Sequence, residues 1–193
     1  FPRTRSSDEC VALLERAGVE VRHRVFPELS LGALRQHGIA AAQLLWSQAE
    51  YEPIYKELFA DLPMPTEYVA PPFGMKGVEE MVRQAALLTG CDGEQALAKL
   101  EEEFNICSRQ LKSLRKRASQ HRVGIALTAR QADLLDEPSA MCGVPLAAFL
   151  EELGFKVEVL HDSQDEGRLK WWLGSGLALV YSDLSTDRRL QGA

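Results

Sequence analysis

Apolar positions along the chain switch repeatedly between a helical period and a period of two, and that alternation predicts the order of elements. Cys10, Val11, Leu13, Leu14 and Ala17 recur at helical spacing. A Ser6 or Ser7 cap, Asp8 and Glu9 in the first turn and Gly18 at the stop predict a helix over 8–17. Val19, Val21, His23 and Val25 then alternate with Glu20, Arg22 and Arg24, the pattern of a strand with one wetter face. Residues 29–37 read as a short helix closed by Gly38, and 40–46 as an apolar run suited to a buried parallel strand. A helix is expected over 50–60, with Pro53 tolerated in its first turn, and a strand over 65–69.

Two prolines and two glycines at 71–77 stop that strand. Val78, Met81, Val82, Ala85, Ala86, Leu87 and Leu88 then run at helical spacing to Gly90. From Asp92 to Gln120 the pattern predicts one long polar helix, striped by Ala96, Leu97, Leu100, Phe104, Cys107, Leu111 and Leu114. Glu94, Glu101, Glu102 and Glu103 lead it, and Arg109, Lys112, Arg115, Lys116 and Arg117 follow, which complements the helix macrodipole. A solvated connecting helix explains this order better than a nucleic-acid patch. Beyond it the pattern reads strand 123–128, loop 129–144, helix 145–153 closed by Gly154, strand 155–160, helix 165–173 with Leu169 and Trp172 inward, and strand 177–181. The fold expected is α/β, two Rossmann-like parallel-sheet units joined by a long helix, with boundaries 1–90, 91–121 and 122–193.

At 193 residues and 46% hydrophobic content the chain has material for one fair core or two small ones. Its net charge of -6 argues against a phosphate-tracking surface, so no nucleic-acid partner is expected. No apolar run approaches the roughly 20 residues that span a bilayer, and no signal peptide opens the chain, so a cytoplasmic protein without a membrane partner is expected. Cys10, Cys91, Cys107 and Cys142 form no C-x-x-C pair, which points to reduced thiols rather than a zinc site or disulfide framework. With Phe1 in place of an initiator Met and a halt soon after a strand, the chain reads as a piece of a longer protein.

Parallel sheets collect ligands at the carboxyl ends of their strands. That rule selects Trp46-Ser47-Gln48, the turn Phe73 to Gly77, the loop 128–144 and Ser182-Asp183, with Ser47, Gly74, Lys76, Thr128 and Cys142 as candidate cofactor-binding residues. Cys142 precedes a helix start marked by Pro145, where a thiol is activated or ligates metal; the competing reading is a small packed residue. His23 reads as a core or edge histidine, His161 and Asp162 as a turn or cap, and Trp171 and Trp172 as cover for the sheet. Walker, G-x-G-x-x-G, serine-hydrolase and protein-kinase signatures are absent from the sequence.

The stretch Pro72-Phe-Gly-Met-Lys-Gly77, followed by Met81-Val82 and closed by Leu88-Thr-Gly90, resembles the strand-to-helix joint of the nitrogenase component-1 family. Further pieces in the same order are Leu14-Glu-Arg-Ala-Gly-Val-Glu-Val, Ala41-Ala-Gln-Leu-Leu-Trp-Ser, Tyr55-Lys-Glu-Leu-Phe and Phe149-Leu-Glu-Glu-Leu-Gly-Phe-Lys-Val-Glu-Val. That family comprises the nitrogenase molybdenum-iron subunits, their cofactor-assembly scaffold and the dark-operative protochlorophyllide reductase subunits.

The resemblance implies three Rossmann-like domains around a metallocluster or tetrapyrrole site, a paired homologous subunit, and an ATP-dependent iron-sulfur reductase that supplies electrons. This chain would hold the middle domain and the start of the third, with the bridging-cluster cysteines before Phe1 and the cofactor-ligating histidine after Ala193. No metal ligand and no bound cofactor of its own is expected, its catalytic residues are left unassigned, and alone it would be inactive. Two departures matter. Ser47 stands where the catalytic nitrogenase subunit has a cofactor-binding cysteine, and Val78 where the family has threonine. A hydroxyl is a poor replacement for thiolate at a soft iron site. Both changes favour a partner subunit, a scaffold or a nitrogenase-like paralogue. The rival readings are a two-lobed metal-chelate binding protein and a non-catalytic interaction module.

Overall fold

The alternation of helical and strand periods folds as α/β, with two small all-parallel sheets. The computed structural model describes residues 5–22, 24, 32, 39–46, 52–61, 64–69, 71–127, 145–161 and 165–182. Among them the order is α1 (Arg5–Ala17), β1 (Gln43–Trp46), α2 (Glu52–Phe59), β2 (Thr66–Val69), α3 (Gly74–Leu88), α4 (Gly93–Ala98), α5 (Glu101–Ala118), β3 (Arg122–Ala126), α6 (Leu146–Glu152), β4 (Lys156–Leu160), α7 (Glu166–Leu173) and β5 (Leu179–Ser182). No described helix is long and apolar enough to cross a membrane. The chain divides into two compact units, Phe1–Ile106 and Cys107–Ala193, so the division falls inside α5.

In the first unit β1 and β2 pair in parallel from Gln43 with Thr66 to Trp46 with Val69. The core comes mainly from helices: Leu14 and Ala17 of α1 pack with Met81, Val82, Ala85 and Ala86 of α3 and with Ala96 and Leu100. These are the positions that the helical spacing selects, with one exception. Leu87, placed on the apolar face by its spacing, is 62% exposed.

Three further expectations need correction. α1 begins at Arg5, ahead of the Ser6 or Ser7 cap expected. Val19 to Arg22 and Arg24 belong to no strand. Val19 is buried and Val21 packs against the helical core, so the alternation is satisfied by burial against helices rather than by pairing. His23, Val25 and the 29–37 helix lie outside the described residues, apart from Gly32, which is helical.

The long helix over 92–120 is in fact two, separated by a turn at Lys99 and Leu100. Leu100 is wholly buried beside Met81 and Val82. The Lys99 ammonium donates to the Ala17 carbonyl at the end of α1, 3.2 Å away. Long-range contacts therefore hold the turn, and no glycine or proline marks it. Asp92 starts α4 by accepting the Glu94 N–H at 2.8 Å, as an N-cap should.

In the second unit β3 is the central strand of the order β4-β3-β5, and both pairings are parallel. Every residue from Val123 to Leu127 is buried, which fits a strand covered on both faces. Val123, Ile125 and Leu127 pack with Leu150 of α6 on one face. Ala126 packs with Leu160, and with Leu169 and Trp172 of α7, on the other. Trp172 thus covers the sheet as expected, but Trp171 is 76% exposed and does not. The preceding helix ties in through Arg115, whose Nε donates to the Glu152 carbonyl at 2.9 Å.

Candidate functional site

Each sheet presents a carboxyl edge, and of the sequence-selected residues Gly74 and Lys76 lie within the described residues. In the first unit the last ladder pair is Trp46 with Val69. The segment carrying Ser47 and the turn carrying Gly74 and Lys76 therefore leave from adjacent strand ends. Ser47 itself lies outside the described residues.

The turn can be followed atom by atom from Pro71. The Phe73 N–H donates to the Pro71 carbonyl at 2.9 Å, which reverses the chain within three residues. Phe73 is extended (φ -93°, ψ 127°) and offers no side-chain cap to α3. Gly74 follows at φ 72°, a left-handed conformation that costs an L side chain about 1–2 kcal/mol. One turn later Gly77 lies against the incoming chain, where a Cβ would come within 3.2 Å of Pro72 Cα and carbonyl carbon. The two glycines thus answer different demands, one conformational and one steric.

Electrostatics at this corner favour a negatively charged or electron-rich group. The amino end of the 15-residue helix α3 carries the positive end of its dipole, and its first turn contains no carboxylate. Lys76, exposed in that same turn, adds a full positive charge. A basic residue there opposes the dipole. The nearest carboxylates along the helix begin in its second turn, where Glu80 is engaged by Gln84 at 2.6 Å and by Arg83 at 3.3 Å. Arg83 also reaches Glu94 of α4 at 3.1 Å, and that hydrogen bond holds its guanidinium above the usual arginine value.

In the second unit the connections decide where a ligand would sit. From β3 the chain passes through α6 to β4 on one side, then through α7 to β5 on the other side of β3. The strand order reverses there, and the crevice of such a sheet opens at that switch point, between β3 and β5. Ala126 pairs with Ser182 at its edge, and the Leu127 N–H donates to the Leu160 carbonyl at 3.1 Å. The carboxyl ends of β3 and β5, which precede Thr128 and Asp183 in the sequence, therefore stand side by side. Thr128, Cys142 and Asp183 lie outside the described residues.

The opposite, amino edge of this sheet is structural. Arg122 places its guanidinium 2.6 Å from a Glu158 carboxylate oxygen and donates to the Ser175 carbonyl, fastening β3, β4 and the turn before β5.

Sequence reasoning missed the roles of Gly77 and Gly124, which seat Pro72 and Trp172 respectively. The one available signal was a glycine inside an otherwise apolar strand, which marks a close approach. Among the described residues no group of three or more His, Cys, Asp or Glu could hold a metal ion. Cys10, Cys91 and Cys107 are free thiols, and burial, then Glu9, raises the Cys10 value and keeps it protonated.

No protein-family model, curated protein or solved structure matches this chain.

Proposed function

We propose that this chain is part of a nitrogenase component-1-type oxidoreductase subunit, or of a nitrogenase-like paralogue, and that its strand-end loops shape a pocket for a metallocluster or tetrapyrrole. The observation that carries the reading is the joint at Pro72 to Gly77. The residues on which the family resemblance rests are those whose backbone geometry resists replacement, Gly74 by its left-handed φ of 72° and Gly77 by its approach to Pro72. The helix end and Lys76 there suit the negative charge of a cluster or of tetrapyrrole carboxylates.

In this reading Ser47, Thr128 and Cys142 are further candidate cofactor-binding residues, and all three lie outside the described residues. Electrons come from an ATP-dependent iron-sulfur reductase, a homologous subunit completes the pocket, and the protein is cytoplasmic. Ser47 in place of a thiolate ligand favours a partner subunit or scaffold over the subunit that carries the catalytic cofactor.

The test is purification of the protein in its full natural length without oxygen, followed by iron analysis and a visible spectrum. Cluster or tetrapyrrole absorption that responds to a reductase only with ATP supports the reading. Chelate binding by a lone exported chain supports the two-lobed binding protein instead. A colourless protein that binds neither cluster, tetrapyrrole nor chelate points to an interaction module.

A further inference from the structure

The sequence contains one aspartate followed by glycine, Asp92-Gly93, and no asparagine followed by glycine. Such a pair is the backbone linkage most open to ring closure, because a glycine N–H with no side chain to shield it can attack the aspartate side-chain carbon. Two local demands keep the pair in place. Asp92 is the N-cap of α4, its carboxylate accepting the Glu94 N–H at 2.8 Å and the Gln95 N–H at 3.4 Å. Gly93 is buried against Arg83 of α3, where a Cβ would lie 2.8 Å from Arg83 Cγ and 3.4 Å from its Cα and carbonyl oxygen.

The native geometry keeps the reacting atoms apart. A five-membered ring closes only when Asp92 Cβ and Gly93 N eclipse one another about the Cα–C bond, which needs a ψ outside the regions that L residues populate. Asp92 has φ -76° and ψ 118°, extended backbone that turns Gly93 N away from the aspartate side chain. The two hydrogen bonds hold the carboxylate over the helix end instead. Opening of α4 releases both restraints, and Asp92, already exposed, can then rotate. We propose that Asp92-Gly93 is a modification site at which an isoaspartyl linkage forms when α4 opens, so that this residue records opening of the helix.

The step balances with water alone. Gly93 N bonds to Asp92 Cγ, and its proton and the carboxyl hydroxyl leave as water, giving a succinimide. Water then adds back at one of two carbonyls. Addition at Cγ breaks the new bond and restores aspartate. Addition at the main-chain carbonyl breaks the original peptide bond and gives isoaspartate, with the chain running through Cβ and Cγ.

The product cannot rebuild the native cap. In the native chain the Asp92 carbonyl accepts the Ala96 N–H at 3.0 Å, the first bond of α4. In isoaspartate that carbonyl has become a carboxylate beside the chain, and the main chain is one atom longer, so both capping contacts lose their geometry together. Ala96 and Leu100, which sit in the core with Met81 and Val82, lose the element that holds them there. A transient opening is thereby made lasting. Every residue involved belongs to the first unit, and the inference needs none of the ligand reading above.

Peptide mapping of the 193-residue chain after prolonged incubation in mildly acidic buffer tests it. An endoproteinase that cuts before aspartate but not before isoaspartate leaves the modified site uncut at unchanged mass. Isoaspartate at position 92 is expected to accumulate at least about tenfold faster in the urea-unfolded chain than in the native one. Leu100→Ala, which loosens the turn after α4 without touching the pair, should raise the native rate severalfold. Equal rates in the native and unfolded chains overturn the proposal. So does an unfolded chain that forms no isoaspartate at 92, or a folded Leu100→Ala variant that reacts no faster than the parent. If circular dichroism shows that Leu100→Ala does not fold, the parent chain in urea below its unfolding transition takes its place, and a rate that fails to rise with urea overturns the proposal equally.

Discussion

Trp172 of α7 occupies the space that any side chain on Gly124 of β3 would need. A Cβ at Gly124 would lie 2.5 Å from the indole Cζ2 and 2.8 Å from Leu177 Cδ1. The central strand is thereby thinned on the α7 face, at Gly124 and Ala126, to admit one large ring. On the α6 face it keeps Val123, Ile125 and Leu127.

Gly124→Ala forces a methyl into a filled seat and should destabilise the second unit by about 1–3 kcal/mol, the usual range for overpacking. Trp172→Ala empties the seat and should cost about 3–5 kcal/mol. Because the two share one space, Gly124→Ala combined with Trp172→Ala should cost less than the sum of the single changes. Urea denaturation of the four proteins checks this, and strict additivity would count against the seat.

Reversing the charge at Lys76 tests the proposed binding role with little change in stability. Lys76→Glu puts an acid in the first turn of α3, where the dipole favours it, but three and four residues before Glu79 and Glu80, so the two effects offset and stability should change by less than about 0.5 kcal/mol. The same change should lower occupancy of the proposed anionic or electron-rich ligand in oxygen-free preparations. A variant with unchanged ligand content would remove Lys76 from the site.

Burial makes Cys10 a poor nucleophile. Its folded value is raised, first by desolvation and then by Glu9. Both folded and unfolded chains hold the thiol proton below the ordinary value near 8.5, so the group adds no pH dependence there. As pH climbs past that value the unfolded chain ionises first, and stability falls. Cys10→Ala should flatten this alkaline decline in thermal melts. At pH near 8 a thiol reagent should label the exposed Cys91 well before Cys10, which peptide mapping would show.

Arg122 holds the amino edge of the second sheet, so Arg122→Met should cost about 1–2 kcal/mol in urea titrations. Arg122→Lys keeps the charge but loses the fork that reaches Glu158 and Ser175 together, and should lie between the two. Equal losses for both variants would mean that the guanidinium geometry is irrelevant.

Much of the architecture was legible because the core positions repeat. The spacing of Met81, Val82, Ala85 and Ala86 gives the buried face of α3, and the unbroken apolar run from Val123 gives a central strand. The pair of long-range contacts at Lys99 and Leu100 was not legible, since neither residue type breaks a helix and the turn depends on Ala17 and on the Met81–Val82 core. Val19 and Val21 misled for the related reason that alternation records which side chains are covered, not what covers them.

At the candidate site, local chemistry singled out Gly74 and Lys76 as candidates. That the carboxyl ends of β3 and β5 lie side by side required strand order, which no spacing along the chain contains.

Taken alone, the chain's own pattern determined the α/β class, the βαβαβ succession after Arg122 and the strand-to-helix corner at Pro72, because hydrophobic period and backbone preferences act between near neighbours. Only the tertiary structure decided that β3 lies between β4 and β5, that Trp172 sits on Gly124, and that the 92–120 stretch turns at Leu100. Those outcomes depend on which distant surfaces meet, and a local pattern states that a surface must be covered without naming its cover.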